Sequence, residues 1–310
     1  MKKIILSSLI LILSVVLVAC GNNDNSNNNE DKEMVTVTHE LGETDVPVNP
    51  EKVIVFDFGI LDTLDKLDID VAAVPQVNIP SYLEKYEGDE YENVGSLKEP
   101  DFEKIAEIDP DLIIISGRQS DLYDQLSELS PVIYLGVDTS RYMDSFEENT
   151  RIVGDIFEKE DEVEEELEAI QSSIDGLKEK AAEADKNGLI VLANDDKISA
   201  YGPSSRFGII HDVFGINPAD DKIEVSTHGQ NVTFEYVAET NPDMLFVIDR
   251  SAAIGEGEVA KQIVENKLTE RTNAYKDDKI IYLDPDFWYL SGGGLISVSE
   301  MVKEIEPVFE

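Results

Sequence analysis

The sequence has little of several residue types on which common functional sites depend. It contains one cysteine, one tryptophan and three histidines in 310 residues. A single cysteine excludes a disulfide framework within the chain and any zinc site built from cysteine pairs. The histidines (His39, His211 and His228) lack the spacing of a metal site, which argues against a carrier of free zinc or manganese. Hydrolase signatures such as GxSxG and HExxH are also missing, so a hydrolase remains only a remote alternative.

Basic residues are scarce. The chain has 25 Lys and Arg against 66 Asp and Glu, a formal net charge of −41. That charge disfavours nucleic acid and anionic lipid surfaces as partners. We attribute it to the habitat of the host, because an acidic surface keeps proteins soluble in salt. Only six of the basic residues are arginines: Arg118, Arg141, Arg151, Arg206, Arg250 and Arg271.

No apolar run is long enough to span a bilayer as a helix. The longest, Ile4 to Val18, follows Lys2 and Lys3, and its length of about 15 residues is typical of a signal peptide. Ala19 then precedes Cys20, and this arrangement resembles the lipobox of bacterial lipoproteins, which implies cleavage before the cysteine and a lipid on its thiol. An ordinary signal peptide or N-terminal anchor is the alternative.

The segment after Cys20 has no apolar residue as far as Glu33, so it cannot offset its ordering entropy by burial. The sequence therefore predicts a signal peptide over 1–19 and a lipidated cysteine with a disordered tether over 20–33. The mature protein is expected to be extracytoplasmic, anchored by lipid to the outer face of the cell membrane.

An internal repeat predicts the architecture. Residues 101–115 (DFEKIAEIDPDLIII) and 233–247 (TFEYVAETNPDMLFV) share six identities at a constant offset of 132, and Arg118 and Arg250 continue it. Each copy predicts a short helix, a Pro-Asp turn and a strand buried on both faces, as in a parallel sheet covered by helices. The identities are Phe102/Phe234, Glu103/Glu235, Ala106/Ala238, Glu107/Glu239, Pro110/Pro242 and Asp111/Asp243.

The region between the copies is predicted to be helical. We expect one helix over Tyr142 to Phe157 and a long one over Glu160 to Asp185, with apolar residues at helical spacing. The predicted fold class is α/β. Two Rossmann-like βα lobes, 34–158 and 187–310, are joined by a single long helix within 159–186, and a ligand cleft lies between them.

Together these features resemble the substrate-binding proteins of ABC importers, in the helical-backbone class that serves siderophores, haem and cobalamin. Within that class the chain is similar to the ferric petrobactin or catecholate siderophore-binding lipoproteins of Gram-positive bacteria. The resemblance implies a monomer that is not an enzyme, has no intrinsic cofactor, and delivers a ferric siderophore to an ABC permease dimer. It is carried by segments 53–67, 94–120, 201–216, 226–230, 241–250 and 288–295.

The resemblance also implies the site residues. Arg118, Arg206 and Arg250 are expected to hold the anionic ferric complex, and guanidinium suits planar anionic oxygens because it is always charged and forked. The alternative for each arginine is an ion pair with a surface carboxylate. His228 and Tyr289 are expected to approach or ligate the iron. Trp288 is placed beside Tyr289 on the ligand wall, with core packing as the alternative for both aromatic residues.

A second implied pair is Glu103 and Glu235, one in each lobe, which would dock on arginines of the two permease subunits. Because the repeat places one glutamate at the equivalent position of each lobe, the pair would match the two equivalent subunits of a two-fold symmetric permease. The alternative is stabilisation of the helix N-terminus by each carboxylate, and Glu99 and Glu239 are possible substitutes. Cobalamin or haem remains the alternative ligand, although cobalamin does not need three arginines and haem requires an axial ligand in an apolar cleft. The glycines of Gly292 to Gly294 are expected to permit a close backbone approach.

Overall fold

The computed structural model describes residues 33–257 and 259–309. The predicted signal peptide, Cys20 and the rest of the predicted tether up to residue 32 lie outside these residues. Glu33–Glu310 forms one compact unit. Within the described ranges, no helix combines the length and the apolar character needed to cross a bilayer.

The first lobe is built on a parallel sheet. Its strands are β1 (Met34–His39), β2 (Gly42–Pro47), β3 (Val53–Val55), β4 (Ala73–Val74), β5 (Glu92–Asn93), β6 (Leu112–Ile115) and β7 (Val132–Tyr134). Its helices are α1 (Phe58–Lys66), α2 (Phe102–Ile108), α3 (Tyr123–Ser127) and α4 (Tyr142–Phe157). β1 and β2 form an antiparallel hairpin, and the remaining strands pair in the parallel order β5-β4-β3-β6-β7. β3 and β6 are buried at every position, as expected for a covered parallel sheet.

One long helix leads from the first lobe to the second. This helix, α5 (Glu160–Ala184), has 25 residues, or about 38 Å at the usual rise per residue. Asp185, in the left-handed conformation with φ 47°, ends it. Its buried stripe contains the residues predicted from the helical spacing, namely Val163, Leu167, Ile170, Ile174 and Leu177.

The second lobe has a mixed sheet. Its strands are β8 (Asn187–Asn194), β9 (Lys197–Tyr201), β10 (Asn217–Pro218), β11 (Gln230–Val232), β12 (Met244–Asp249) and β13 (Ile280–Leu283). Its helices are α6 (Ile209–Asp212), α7 (Phe234–Thr240), α8 (Arg250–Ala253), α9 (Ala260–Val264), α10 (Asn273–Lys276) and α11 (Leu295–Ile305). The order is β11-β9-β8-β12-β13, with β10 also paired to β8. β8, β12 and β13 are parallel, whereas β9 is antiparallel to both of its neighbours.

The repeat has a physical explanation in the helix ends. α2 and α7 each have seven residues, and the side chains of Asp101 and Thr233 cap their N-termini. Asp109 and Asn241, again 132 residues apart, end the two helices in the left-handed conformation, with φ of 54° and 50°. The same helix, turn and strand therefore recur in both lobes.

The aspartates of the two Pro-Asp turns tie each repeat to the neighbouring strand. Asp111 accepts backbone N–H bonds from Glu51 and Lys52, just before β3. Asp243 accepts one from Asn187, the first residue of β8. The predicted α/β fold of two lobes joined by a long helix is confirmed.

Candidate functional site

A cleft of about 540 Å³ lies between the lobes. The first lobe contributes the loops that follow β3, β6 and β7, at the carboxyl ends of the parallel strands, where open α/β sheets bind ligands. The second lobe contributes the loop after β9, residues 227–228 and the segment 288–292. Five of the residues implied by the resemblance line this one cavity: Arg118, Arg206, His228, Trp288 and Tyr289.

Arg118 lies in the loop after β6. The loop is fixed by the next residue, Gln119, whose side chain is fully buried. Its amide oxygen accepts the backbone N–H of Ser116, and its amide nitrogen donates to the carbonyl of Leu97. Gln119 thus joins the loop that carries Arg118 to the loop that carries Lys98.

Arg206 and Arg118 meet at one carbonyl oxygen. Nη2 of Arg206 donates to the backbone oxygen of Tyr289 over 2.7 Å, and Nη2 of Arg118 donates to the same oxygen over 3.3 Å. Burial, and then the positive charge of Arg118, lower the pKa of Arg206. Two guanidinium groups from different lobes are therefore held side by side, and the charge of Arg118 disfavours that of Arg206.

Arg250 is not among the described residues that line the cavity. Its Nη1 donates to the side-chain oxygen of Asn194 over 2.9 Å, and its side chain also hydrogen-bonds Tyr289. Asp249 holds the segment that follows, where α8 begins at Arg250, by accepting the backbone N–H groups of Ala252 and Val259. The 132-residue pair is therefore not symmetric at the site, because Arg118 lines the cleft whereas Arg250 contacts Tyr289.

None of these three arginines lies within 4.0 Å of a carboxylate in the part of the chain that the structure describes. By contrast, Arg141 pairs with Asp138 and Glu148, and Arg151 pairs with Glu147 and Glu164. In a chain with 66 acidic residues, all three predicted ligand-binding arginines thus lack a carboxylate partner among the described residues, as does Arg271.

Tyr289 stands at the centre of this cationic group. Burial alone raises the pKa of its phenol, but the charges and hydrogen bonds of Arg206 and Arg250 outweigh burial and lower the pKa below the ordinary value. The guanidinium carbon of Arg206 also lies 4.3 Å from the centre of the ring. Deprotonation to the phenolate, which is the form that binds a metal ion, is therefore easier here than in an ordinary tyrosine.

The segment that carries Tyr289 is a π-helical turn, Asp286–Ser291, and it is braced by the first lobe. Asp286 accepts hydrogen bonds from the backbone N–H and the hydroxyl of Ser81, over 2.7 and 2.5 Å. The hydroxyl of Ser291 donates to that of Tyr82 over 2.6 Å, and Tyr82 in turn donates to Asp62. Turns of this kind are common at functional sites.

The other two predicted residues differ in their environment. His228 is exposed in the loop before β11. Trp288 is only 3% exposed, and its indole N–H donates to Glu304 over 2.7 Å. Trp288 therefore contributes a packed wall to the cleft, and its polar group is already engaged within the protein.

The glycines that follow this turn permit the predicted close approach. Gly292 and Gly293 have φ of 62° and 111°, and a Cβ at Gly293 would overlap Val137. A Cβ at Gly294 would overlap Asp62 and the carbonyl of Gly59. The prediction for this segment is confirmed.

The sequence did not single out two further cleft residues, Lys98 and Tyr142. Lys98 is exposed and has no ion pair within 4.0 Å among the described residues. Neither residue belongs to the internal repeat. Their positions in the sequence gave no signal, because exposed lysines and buried tyrosines are common throughout proteins.

The pair Glu103 and Glu235 lies outside the cleft. Each is exposed in the first turn of its helix, α2 or α7, and neither forms an ion pair among the described residues. Glu235 lines a separate groove at the free edge of β11. Across residues 33–257 and 259–309, no group of three or more His, Cys, Asp or Glu side chains is placed to hold a metal ion.

Comparisons with known proteins agree with this geometry. The family model for periplasmic binding proteins matches residues 53–287. The petrobactin-binding protein YclQ of Bacillus subtilis (strain 168) is 56% identical over 283 residues, which cover 90% of this chain and 89% of that protein. The ferric-anguibactin-binding protein FatB of Vibrio anguillarum is 29% identical, with coverage of 87% and 86%.

Solved structures are similar over the same range. The crystal structure of YclQ superposes with a TM-score of 0.88, covering 90% of this chain and 99% of that one at 56% identity. The periplasmic catecholate-siderophore binding protein VctP of Vibrio cholerae gives a TM-score of 0.85 at 34% identity, covering 89% and 100%. The family resemblance read from the sequence is confirmed, and the chain belongs to the periplasmic binding protein family.

Proposed function

We propose that this protein captures an anionic ferric siderophore of the catecholate type, such as ferric petrobactin, and delivers it to an ABC importer. The observation that carries the proposal is the set of arginines without carboxylate partners at the cleft. Charged groups that are partly removed from water favour an opposite charge strongly. A ferric complex with anionic oxygens provides that charge.

The arginines have different roles in this proposal. Arg118 and Arg206 bind anionic oxygens of the complex through their forked N–H groups. Arg250 acts through Tyr289, because it contacts the phenol and favours its deprotonation. Lys98 adds a positive charge at the cavity wall.

Tyr289, and His228 on the exposed loop, are proposed to ligate or approach iron where the siderophore leaves coordination sites open. Phenolate oxygen and imidazole nitrogen both suit iron. Two protein ligands are too few to bind bare Fe³⁺ tightly, so the siderophore supplies most of the donors. The protein is then a carrier without intrinsic cofactor rather than an enzyme.

The names of the relatives support the same class of ligand. YclQ is named for petrobactin, FatB for ferric anguibactin, and VctP for catecholate siderophores. We propose a siderophore as the ligand of this chain on the strength of these names, and the catecholate type from VctP, which is named for it.

The remaining parts of the proposal concern delivery. Glu103 and Glu235 are proposed to dock on the two subunits of the permease, because both are exposed and placed by the repeat. The protein is proposed to be a monomer, with a signal peptide over 1–19 and a lipid on Cys20. The lobes are proposed to extend over 34–158 and 187–310, on either side of a helix within 159–186.

The proposal is tested by titrating the protein with a panel of ferric siderophores and with cobalamin and haem, at low and high salt. Trp288 is the only tryptophan and lines the cleft, so its fluorescence reports occupancy. We expect ferric catecholates to quench this fluorescence. We expect neither cobalamin nor haem to do so. Saturable binding of cobalamin or haem, with no response to ferric siderophores, would refute the proposal.

A further inference from the structure

Gln119 is a buried glutamine between two loops of the cleft. The residue is 0% exposed. Its amide oxygen accepts the backbone N–H of Ser116 over 3.1 Å, and its amide nitrogen donates to the carbonyl of Leu97. Its own backbone N–H donates to the carbonyl of Ser116 over 3.1 Å. A buried amide is costly unless such bonds are made, so the side chain is held in this one arrangement.

Each end of this link lies next to a cation that lines the cleft. Arg118 directly precedes Gln119, and Lys98 directly follows Leu97. Lys98 is exposed and has no ion pair within 4.0 Å among the described residues. The N–H of Lys98 donates to the hydroxyl of Ser96 over 3.3 Å, which fixes the turn that carries it. Movement of one loop relative to the other would therefore break the bond between Gln119 and Leu97.

The second lobe has a similar turn without the link. His228 lies in a turn of the same kind as Lys98, since its N–H donates to the hydroxyl of Ser226 over 3.2 Å. The position equivalent to Gln119, 132 residues later, is Ser251. Ser251 is 1% exposed, and its hydroxyl makes no hydrogen bond in the described part of the chain. The link between an arginine loop and the neighbouring turn is therefore a property of the first lobe and not of the repeat.

The link matters because Lys98 and Arg118 have the same charge. Like charges on mobile loops repel each other, so a ligand that binds both must order the loops at a cost in free energy. Loops that are already fixed in the unliganded protein avoid that cost. Arg118 has a second anchor at the carbonyl oxygen of Tyr289, whereas the ammonium of Lys98 is a point charge on a flexible stem. Lys98 is therefore the cation that depends on the link.

We propose that Gln119 is a positioning residue, which holds the Lys98 turn against the Arg118 loop so that both cations bind one anionic ligand. This inference rests on the proposed function, because it takes that ligand to be a ferric siderophore. Gln119 does not line the cleft itself, and it acts through the backbone on either side of it.

The test is a double-mutant cycle on the Kd for ferric petrobactin, followed by Trp288 fluorescence. Lys98→Met is expected to raise the Kd about tenfold in the wild-type background. Gln119→Met keeps the length of the side chain and removes both of its hydrogen bonds. In the Gln119→Met background, Lys98→Met is expected to raise the Kd less than twofold, because the turn is no longer held in place.

Two controls separate positioning from a general loss of structure. Arg206→Gln alters a cation of the other lobe, so it should raise the Kd by the same factor with and without Gln119→Met. Ser251→Ala changes the equivalent buried residue of the second lobe, and Lys98→Met should still cost about tenfold in that background. A merely structural role of Gln119 would not make the effect of Lys98→Met disappear while that of Arg206→Gln stays the same.

Hydrogen exchange of the unliganded wild type tests the same inference without a variant. The backbone N–H groups of Lys98 and His228 both donate to serine hydroxyls of similar turns. The N–H of Lys98 is expected to exchange at least tenfold more slowly, because the link through Gln119 holds its turn closed. This comparison decides the question if Gln119→Met does not fold.

Two outcomes overturn the inference. One is an equal effect of Lys98→Met in the wild-type and Gln119→Met backgrounds; the other is equal exchange rates of the Lys98 and His228 N–H groups. A wild type that binds no ferric siderophore would instead refute the proposed function, on which the inference rests.

Discussion

Arg206 contacts Tyr289 in two ways. Its Nη2 donates to the Tyr289 carbonyl oxygen over 2.7 Å, and its guanidinium carbon lies 4.3 Å from the centre of the Tyr289 ring. A cation in this position makes a favourable cation–π contact with the face of the ring, and its charge also stabilises the phenolate. The relationship joins an anion-binding group and a metal-binding group into one unit of the cleft.

Arg206→Gln is expected to weaken binding of ferric petrobactin by ten- to a hundredfold, because a hydrogen bond to a charged group contributes about 1.5–3 kcal/mol. The comparison is Arg151→Gln, which removes an arginine that is exposed and paired with Glu147 and Glu164. Isothermal titration of both variants measures the difference. Equal affinities in the two variants would contradict the role given to Arg206.

Tyr289→Phe is expected to abolish any phenolate-to-iron charge-transfer absorption from the protein. The effect on affinity should depend on the siderophore, since only complexes with open coordination sites need a protein ligand. A tetradentate ferric catecholate should lose at least tenfold in affinity, about 1.4 kcal/mol, whereas a hexadentate complex should lose less. The same visible spectrum in the variant and the wild type, with a tetradentate complex bound, would argue against ligation by Tyr289.

Asp62 gives a pH dependence of stability. Burial raises its pKa from 3.8 to about 7, against the opposing effect of the hydrogen bonds from Ser297, Ile296 and Tyr82. The folded protein therefore retains a proton that the unfolded chain releases near pH 4. The contribution of Asp62 to stability is fully present below about pH 4 and is lost as pH rises to about 7, amounting to a few kcal/mol at about 1.4 kcal/mol per pKa unit.

Asp62→Asn removes this titration while keeping an acceptor for α11. Urea unfolding between pH 4 and pH 8 should show a stability curve for the variant that falls less with pH than that of the wild type. Many other carboxylates titrate in this range, so the informative quantity is the difference between the two curves. Parallel curves across the range would contradict the raised pKa.

Charge reversal at Glu103 and Glu235 is expected to separate binding from delivery. The double variant Glu103→Arg and Glu235→Arg should keep the wild-type Kd for ferric petrobactin, because neither residue lines the cleft. Uptake of iron from ferric petrobactin through the cognate importer should fall more than tenfold, since like charges at a docking surface repel. Glu168→Arg on the exposed face of α5 is the control and should transport normally. Normal uptake by the double variant would exclude the proposed docking pair.

The sequence predicted the fold well where a local signal repeats. The buried strands β6 and β12 and the helix caps around them follow from the two copies of one pattern, with Asp109 and Asn241 in equivalent left-handed positions. α4 was predicted with the bounds that the structure has, and α5 to within one residue. Apolar spacing and capping are local, so they can be read without knowledge of the fold.

The site was predictable only in part, since it depends on contacts between distant segments. The repeat placed Arg118 and Arg250 in equivalent loops, yet Arg250 turns to Asn194 and Tyr289 instead of lining the cavity. Tyr142 lies close to Gly292, which is 150 positions later in the chain. No spacing rule in a single sequence reveals such a pair.

The most direct test of the account is the Kd of ferric petrobactin for the wild type and for the triple variant Arg118→Ala, Arg206→Ala and Arg250→Ala, measured by Trp288 fluorescence at low and high salt. The account predicts a loss of at least a thousandfold in the triple variant, about 4 kcal/mol. It also predicts a weak salt dependence in the wild type, because short-range contacts in the cleft are screened less than surface charges. A triple variant that binds ferric petrobactin as tightly as the wild type would contradict the central claim.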